Sequence, residues 1–445
     1  MTGTPFQNRA RAMSKRALRL FLALVALTTV ASCGNRTAGL PIAGEIDVRH
    51  LDVGPFSAEP IDTYTQYSHS VESGSELATM RLSNHMATGL DFDRRLTFGT
   101  SAESMAASSS DLNGNISKFK QVLSEASARA ILQNGVLFGF ASGSSDHEPD
   151  RTGQSLSSAI LTNLSVFQFP SPEKAARAAV EMEQADFDVA PDKNQSVTLG
   201  KYPDARSHWQ PGTPTLGSFI AHGNYVVTIF AKIPEGRLPE LSAITEKAFD
   251  KQIPMLDNLV PLSAEEVLKL EPNNSTNRRI ITPAKHYIPS NESLGTYEKQ
   301  GFLHFQKDRA AAKKMFDALH IESYTVSDAY LTITTNYDRT GNTQALIGKE
   351  VTRNVTGGAI LYQAADSTAA RTAWQQLLES PDATTQPKGV PDSKCAQLPD
   401  DGTYRQFSCA VMYHQYVAVV WGRQLADAQQ RAAAEYALLA NSEWM

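Results

Sequence analysis

Cysteine is scarce in this sequence, at 3 of 445 residues, so the fold does not rest on the dense disulfide framework that staples small secreted domains. Long apolar runs are missing as well. The most sustained, residues 20–30, covers about eleven residues and falls short of the ~20 that a bilayer-spanning helix needs. There is no excess of basic charge: 41 Lys and Arg stand against 47 Asp and Glu, which excludes a main body built to neutralise nucleic-acid phosphates. With 27 Gly, 22 Pro and 20% charged residues, neither a collagenous nor a disordered chain fits. What remains is 41% hydrophobic, enough over this length to fill the cores of two to three ordinary domains.

The amino terminus has the pattern of an export signal. Arg9, Arg11, Lys15, Arg16 and Arg19 give a basic start, and Leu20-Phe21-Leu22-Ala23-Leu24-Val25-Ala26-Leu27 opens the apolar run. The run ends in Val30-Ala31-Ser32-Cys33, small residues before a cysteine. That ending resembles a bacterial lipoprotein signal, and the resemblance implies that Cys33 carries a diacylglycerol and that residues 1–32 are removed. Met13 is the alternative start, giving a signal of more usual length. Removing residues 1–32 deletes five basic and no acidic residues, which moves the formal charge from −6 to −11. Such a chain would be held by acyl chains, at ~0.8 kcal/mol per buried methylene, without basic attraction to lipid. The expected location is the extracytoplasmic face of a cell membrane, and the membrane itself is the first expected partner.

If Cys33 takes a lipid, Cys395 and Cys409 are left as an even pair in an oxidising compartment. A disulfide between them would stabilise the fold by roughly 3 kcal/mol in the chain-entropy model. Their thirteen-residue gap, with no second Cys or His pair near, is poor spacing for zinc.

After Cys33 the chain is punctuated by Gly, Pro and Ala and reads as a tether over residues 33–60. Helical spacing appears next at residues 76–87 and 117–132, with strands at residues 136–140 and 159–169. A unit then occurs twice. Val166-Phe167-Gln168-Phe169 leads to a helix with Ser171-Pro172 at its start and Ala175-Ala176-Arg177 one turn on. Ile360-Leu361-Tyr362-Gln363 leads to Asp366 and Ala369-Ala370-Arg371. Each helix is followed by a hairpin, residues 216–231 and 404–421, and then by a closing helix. Strand, helix, hairpin, helix suits an antiparallel sheet with helices on one face, so the expected class is α+β with two similar lobes, residues 61–265 and 266–445. A helix at residues 309–320 and a strand at residues 330–335 belong to the second lobe.

The lipoprotein signal, the stretch Leu77-Ala78-Thr79-Met80-Arg81-Leu82-Ser83-Asn84 with Leu90-Asp91-Phe92-Asp93, and the strand-helix unit together resemble a family of uncharacterised lipoproteins from mycobacteria and related actinobacteria. The resemblance implies an envelope location and carries over no catalytic residue. The Ser-Pro-Glu helix and the Cys-bearing hairpin are also similar to extracellular sensor domains of actinobacterial protein kinases. Those domains usually hold two disulfides each, whereas this chain offers one in its second lobe and none in its first.

Candidate chemistry is thin. Asp146-His147-Glu148-Pro149-Asp150 packs carboxylates and an imidazole into one loop, but a single short segment rarely completes a coordination shell. Asp111-Leu112-Asn113-Gly114-Asn115 begins like a calcium loop and then has Ile116 and Val122 where Gly and Glu belong. Ser171-Pro172-Glu173-Lys174 has Ser-x-x-Lys spacing without the companion motifs of penicillin-binding enzymes. His85, His208, His222, His304 and His414 are scattered singly, as surface or edge residues are. Neither a metal nor a cofactor is expected. Trp209, Tyr225, Tyr404, Tyr413, Tyr416 and Trp421, near the hairpins, are candidates for an apolar pocket or for core. The expected function is a non-enzymatic binding, sensing or envelope-assembly module whose ligand is a lipid, glycan, peptide or protein. The alternative is a hydrolase-type enzyme with a site assembled from distant residues.

Overall fold

Apolar residues occupy both alternating faces of the central strands, as in Val166-Phe167 and Val226-Val227, and such a strand must be covered on both sides. The computed structural model describes residues 46–60, 68–106, 116–150, 154–234, 237–272, 275–281, 294–327, 357–378, 385–398 and 406–442, and Val48–Met445 form one unit. Cys33, the signal over residues 1–32, the calcium-like stretch at residues 111–115, Tyr404 and the strand expected at residues 330–335 lie outside the described residues.

The first lobe runs α1 (Val71–Ser83), α2 (Gly89–Phe92), β1 (Phe98–Ala106), α3 (Glu125–Gln133), β2 (Phe138–Ser145), β3 (Leu161–Gln168), α4 (Pro172–Phe187), β4 (Gln195–Val197), β5 (Arg206–Gln210), β6 (Thr213–His222), β7 (Tyr225–Lys232), α5 (Leu238–Asp257) and α6 (Ala264–Lys269). The second runs α7 (Ser275–Arg279), β8 (Leu294–Tyr297), α8 (Lys299–Leu303), α9 (Arg309–Leu319), β9 (Ile321–Ser327), β10 (Gly357–Ala364), α10 (Ser367–Leu377), β11 (Ser393–Gln397), β12 (Phe407–Tyr413), β13 (Tyr416–Gly422) and α11 (Leu425–Ala440). The class is α+β, with a seven-stranded sheet ordered β1-β2-β3-β7-β6-β5-β4 and a six-stranded sheet ordered β8-β9-β10-β13-β12-β11. Every pairing in both is antiparallel.

Apart from the short edge strand β4, the two sheets have the same order, and helices fall at matching places in the chain. The match extends to single residues. The two-residue hairpins close at His222 opposite Tyr225 and at Tyr413 opposite Tyr416. The first turn residue is left-handed in both, Gly223 at φ 53° and His414 at φ 49°. Gln168 faces Tyr225 as Gln363 faces Tyr416. Three residues on, Ser171 and Asp366 cap the following helices by accepting from Lys174 N and Ala369 N. Counted from these caps, Ala175 corresponds to Ala370 and Ala178 to Ala373, all buried. The Ala-Ala-Arg strings are therefore displaced by one residue, and the real correspondence is the alanine pair on the buried helix face.

Helices cover both faces of the first sheet, not one. Val166, Val227 and Ile229 pack with Leu241, Ile244 and Phe249 of α5, whereas Phe167, Phe219 and Val226 pack with Ile131 of α3 and Ala178 and Met182 of α4. In the second sheet α10 and α11 both pack on β12 and β13. Helix α1 starts five residues earlier than its apolar spacing does, because Ser70 accepts from Ser73 N and so caps a polar first turn. Residues 48–60, counted with the tether by composition, carry a 3₁₀ turn at Val48–His50 and bury Phe56.

Candidate functional site

The junction of the lobes is where the fold places its least ordinary side chains. Helix α1 is buried nearly all round: Ala78 and Leu82 belong to the first lobe's core, and Leu77 and Met80 to the second's. Gly74 lies so close to the Val267 carbonyl of α6 that a Cβ would collide with it. Beyond α1 the junction turns polar. Residues 307–309 run back to the first sheet, with Gly99 N donating to Lys307 O at 2.8 Å and Arg309 N to Thr97 O at 2.9 Å.

His304 and Arg309, both fully buried, fill the space beside that bridge. His304 Nε2 lies 3.1 Å from Ser83 O and 3.2 Å from Met86 O, so this nitrogen carries the proton and donates. Nδ1 then accepts from Ser142 Oγ at 2.8 Å, and the ring stands edge-on to Phe140. Burial, reinforced by the nearby Arg309 cation, pushes the imidazole down to about 3 and keeps it neutral. Arg309, the first residue of α9, donates to Ser144 Oγ at 2.6 Å, His304 O at 2.8 Å and Ser101 O at 3.3 Å. Its Nε finds no acceptor among the described residues. Burial pushes this guanidinium down to about 9, the Asp91 carboxylate opposing, and it is still a cation at neutral pH. Asp91 in turn accepts from Thr88 N and Oγ1 and from Gln300 Nε2. Apart from the local Arg309–His304 bond, these bonds run between segments far apart in sequence or cap a junction helix, so the network ties the lobes together.

The first lobe holds a second cluster. His208 of β5 sits between Glu183 and Asp186 of α4, with Nδ1 3.0 Å from Glu183 Oε1 and Nε2 3.7 Å from Asp186 Oδ2, and Phe187 packs edge-on to the ring. Both nitrogens face carboxylates.

The cysteines expected to pair are joined as a disulfide across β11 and β12, Cys395 directly opposite Cys409 with their Cα atoms 4.0 Å apart. Cys395 N donates to Thr385 O instead of to its cross-strand neighbour, so this is the close, non-hydrogen-bonded kind of pair. At the matching place in the first sheet, Ser218 Oγ donates to Ser207 Oγ at 2.7 Å, both residues buried. Cys409 and Ser218 each lie four residues before the end of their strand.

The loop at residues 146–150 is stitched into the fold. Asp146 Oδ1 accepts from Ile160 N, Asp150 and Ser155 exchange bonds, and Glu148 pairs with Lys307. Among the described residues no group of three or more His, Cys, Asp or Glu is placed to hold a metal ion, and no helix is long and apolar enough to cross a membrane. Ser171 is used as a helix cap. His304 corrects the expectation of surface or edge histidines: it is among the most deeply buried polar residues described, and His208 is nearly so. His85 is half-buried and bonds Arg81 O, His222 pairs with Asp257, and His414 is exposed in its turn. Tyr225, Tyr413 and Trp421 are core, and Trp209 packs against the first core. Sequence reasoning passed over Arg309 and Asp91; the one available signal was an arginine directly after a helix-capping Asp308, beside an otherwise apolar helix face.

Two family models match the chain. The N-terminal part of a domain of unknown function, DUF7373, matches residues 65–272, and the C-terminal part matches residues 276–442. No curated protein matches the sequence.

Proposed function

The chain belongs to the DUF7373 family, whose two domains are of unknown function, and we propose that it serves as a lipid-anchored extracytoplasmic lipoprotein of the actinobacterial envelope, binding or helping to assemble envelope components without catalysing a reaction. One observation carries this reading: Cys395 is paired with Cys409 in a chain whose remaining cysteine, Cys33, ends an export-type signal. A buried cross-strand disulfide suits an oxidising compartment, and small residues before a cysteine resemble the ending of a bacterial lipoprotein signal. The non-catalytic part is supported by how the fold uses its reactive side chains. His304 is held neutral by the junction, His208 lies between two carboxylates, and His147 and His222 are tied to Asp146 and Asp257. The ligand class is a lipid, glycan, peptide or protein of the envelope.

Replacing Cys33 by Ser should move the protein from the membrane pellet to the soluble fraction, and continued pelleting would contradict the anchor. Native mass spectrometry of protein extracted from its own envelope should show a co-purifying molecule or partner. A bare chain under several mild detergents would count against capture.

A further inference from the structure

Residues 48–58, which lie between Cys33 and α1 in the chain, are docked on the second lobe, and that docking is specific. Phe56 is buried with the Arg431 guanidinium 4.2 Å above its ring centroid, and Arg431 itself is fully buried in α11. Asp52 accepts from Gln430 Nε2 at 3.2 Å and 3.3 Å, and Ala58 O accepts from Asn441 Nδ2 at 2.7 Å. Gly54, at φ 53°, passes so close to Gln430 that a Cβ would overlap its side chain. A left-handed glycine, a buried aromatic on a buried cation and two polar clasps make a built contact.

From these contacts we infer that residues 48–58 are a strap that transfers the membrane attachment from the junction of the lobes to the α11 face of the second lobe, which is thereby the lobe held toward the lipid surface. The inference rests on the acylated Cys33 of the proposed function. Chain length sets the scale. At full extension Ser70, at the start of α1, lies up to about 130 Å from Cys33, and Val48, at the start of the strap, at most about 50 Å. The strap therefore shortens the leash more than twofold and selects which lobe carries it.

The test imposes attachment on the purified full chain. Cys33 is the one thiol outside the disulfide, so a maleimide phospholipid couples it to phosphatidylcholine vesicles. A genetically encoded fluorescent residue is placed at exposed Lys388 in the second lobe or exposed Lys193 in the first, with a headgroup quencher in the vesicles. Quenching should be stronger at Lys388 than at Lys193, and Phe56→Ala or Asn441→Ala should reduce the difference at least twofold. Equal quenching at the two positions would overturn the orientation. Hydrogen exchange read without vesicles should show residues 48–58 protected at least tenfold over free-peptide rates, and Phe56→Ala should abolish that protection while β3 and β7 keep theirs. Free-peptide exchange in the native strap would overturn the strap itself. Loss of native acylation alone would remove the lipoprotein reading and leave both coupled-vesicle results standing.

Discussion

Arg309 and His304 show how strongly one side chain can depend on the segments around it. A buried guanidinium without a bonded carboxylate is costly, and the structure offsets the cost with Ser144 Oγ, two carbonyls and the field of Asp91. His304 is tuned in the same space. Its imidazole lies at about 3 when folded against an ordinary 6.5, so the unfolded chain binds the extra proton at any pH between them. The stability tied to this histidine is therefore complete above pH ~6.5 and is lost as pH falls toward ~3, by about 1.4 kcal/mol per unit. Urea unfolding at about pH 7 and about pH 5 should show the native protein losing about 2 kcal/mol more than His304→Gln over that interval. Equal losses would mean that the ring is charged or solvated. Neither residue was legible as a site beforehand: His304 and its acceptors Ser83 and Met86 lie more than two hundred residues apart, and no local pattern announces such a meeting.

The helices and strands were the legible part, for local reasons. Ser171-Pro172 and Asp366 start α4 and α10 because an oxygen at the cap satisfies orphan amides, and the hairpins stand out because apolar runs flank a two-residue turn. Two features were not legible. The first turn of α1 is Val-Glu-Ser-Gly, which has no apolar period, and it is helical because Ser70 caps it and both lobes bury the later turns of the helix. Helix cover on both sheet faces does not show in element order; it shows in the apolar residues at adjacent positions, such as Val226 and Val227, which a one-faced reading ignores. The repeat is real at the level of strand order and register, although the Ala-Ala-Arg string that pointed to it is out of step by one. If Ser207–Ser218 and Cys395–Cys409 are the same place in two copies, Ser207→Cys with Ser218→Cys should close a second disulfide. Intact mass should fall by two hydrogens per added bridge, and stability should rise by up to about 3 kcal/mol. Persistent free thiols in the double variant would show that the two pairs are not geometrically equivalent.

The described residues form two copies of one sheet topology, joined through a shared helix and a buried polar junction, with residues 48–58 held against the second copy. A two-lobed frame of this kind suits presentation of a surface, and the proposal that it works outside the cytoplasm depends on the one cysteine that the disulfide leaves over. The most direct measurement is the intact mass of the protein recovered from its own membrane. The expected mass is that of a chain that begins at Cys33, carries a diacylglycerol adduct on that residue and lacks two hydrogens for the Cys395–Cys409 bridge. A mature chain that still contains residues 1–32, or one that begins elsewhere and has no acyl mass, would contradict the lipid-anchored reading.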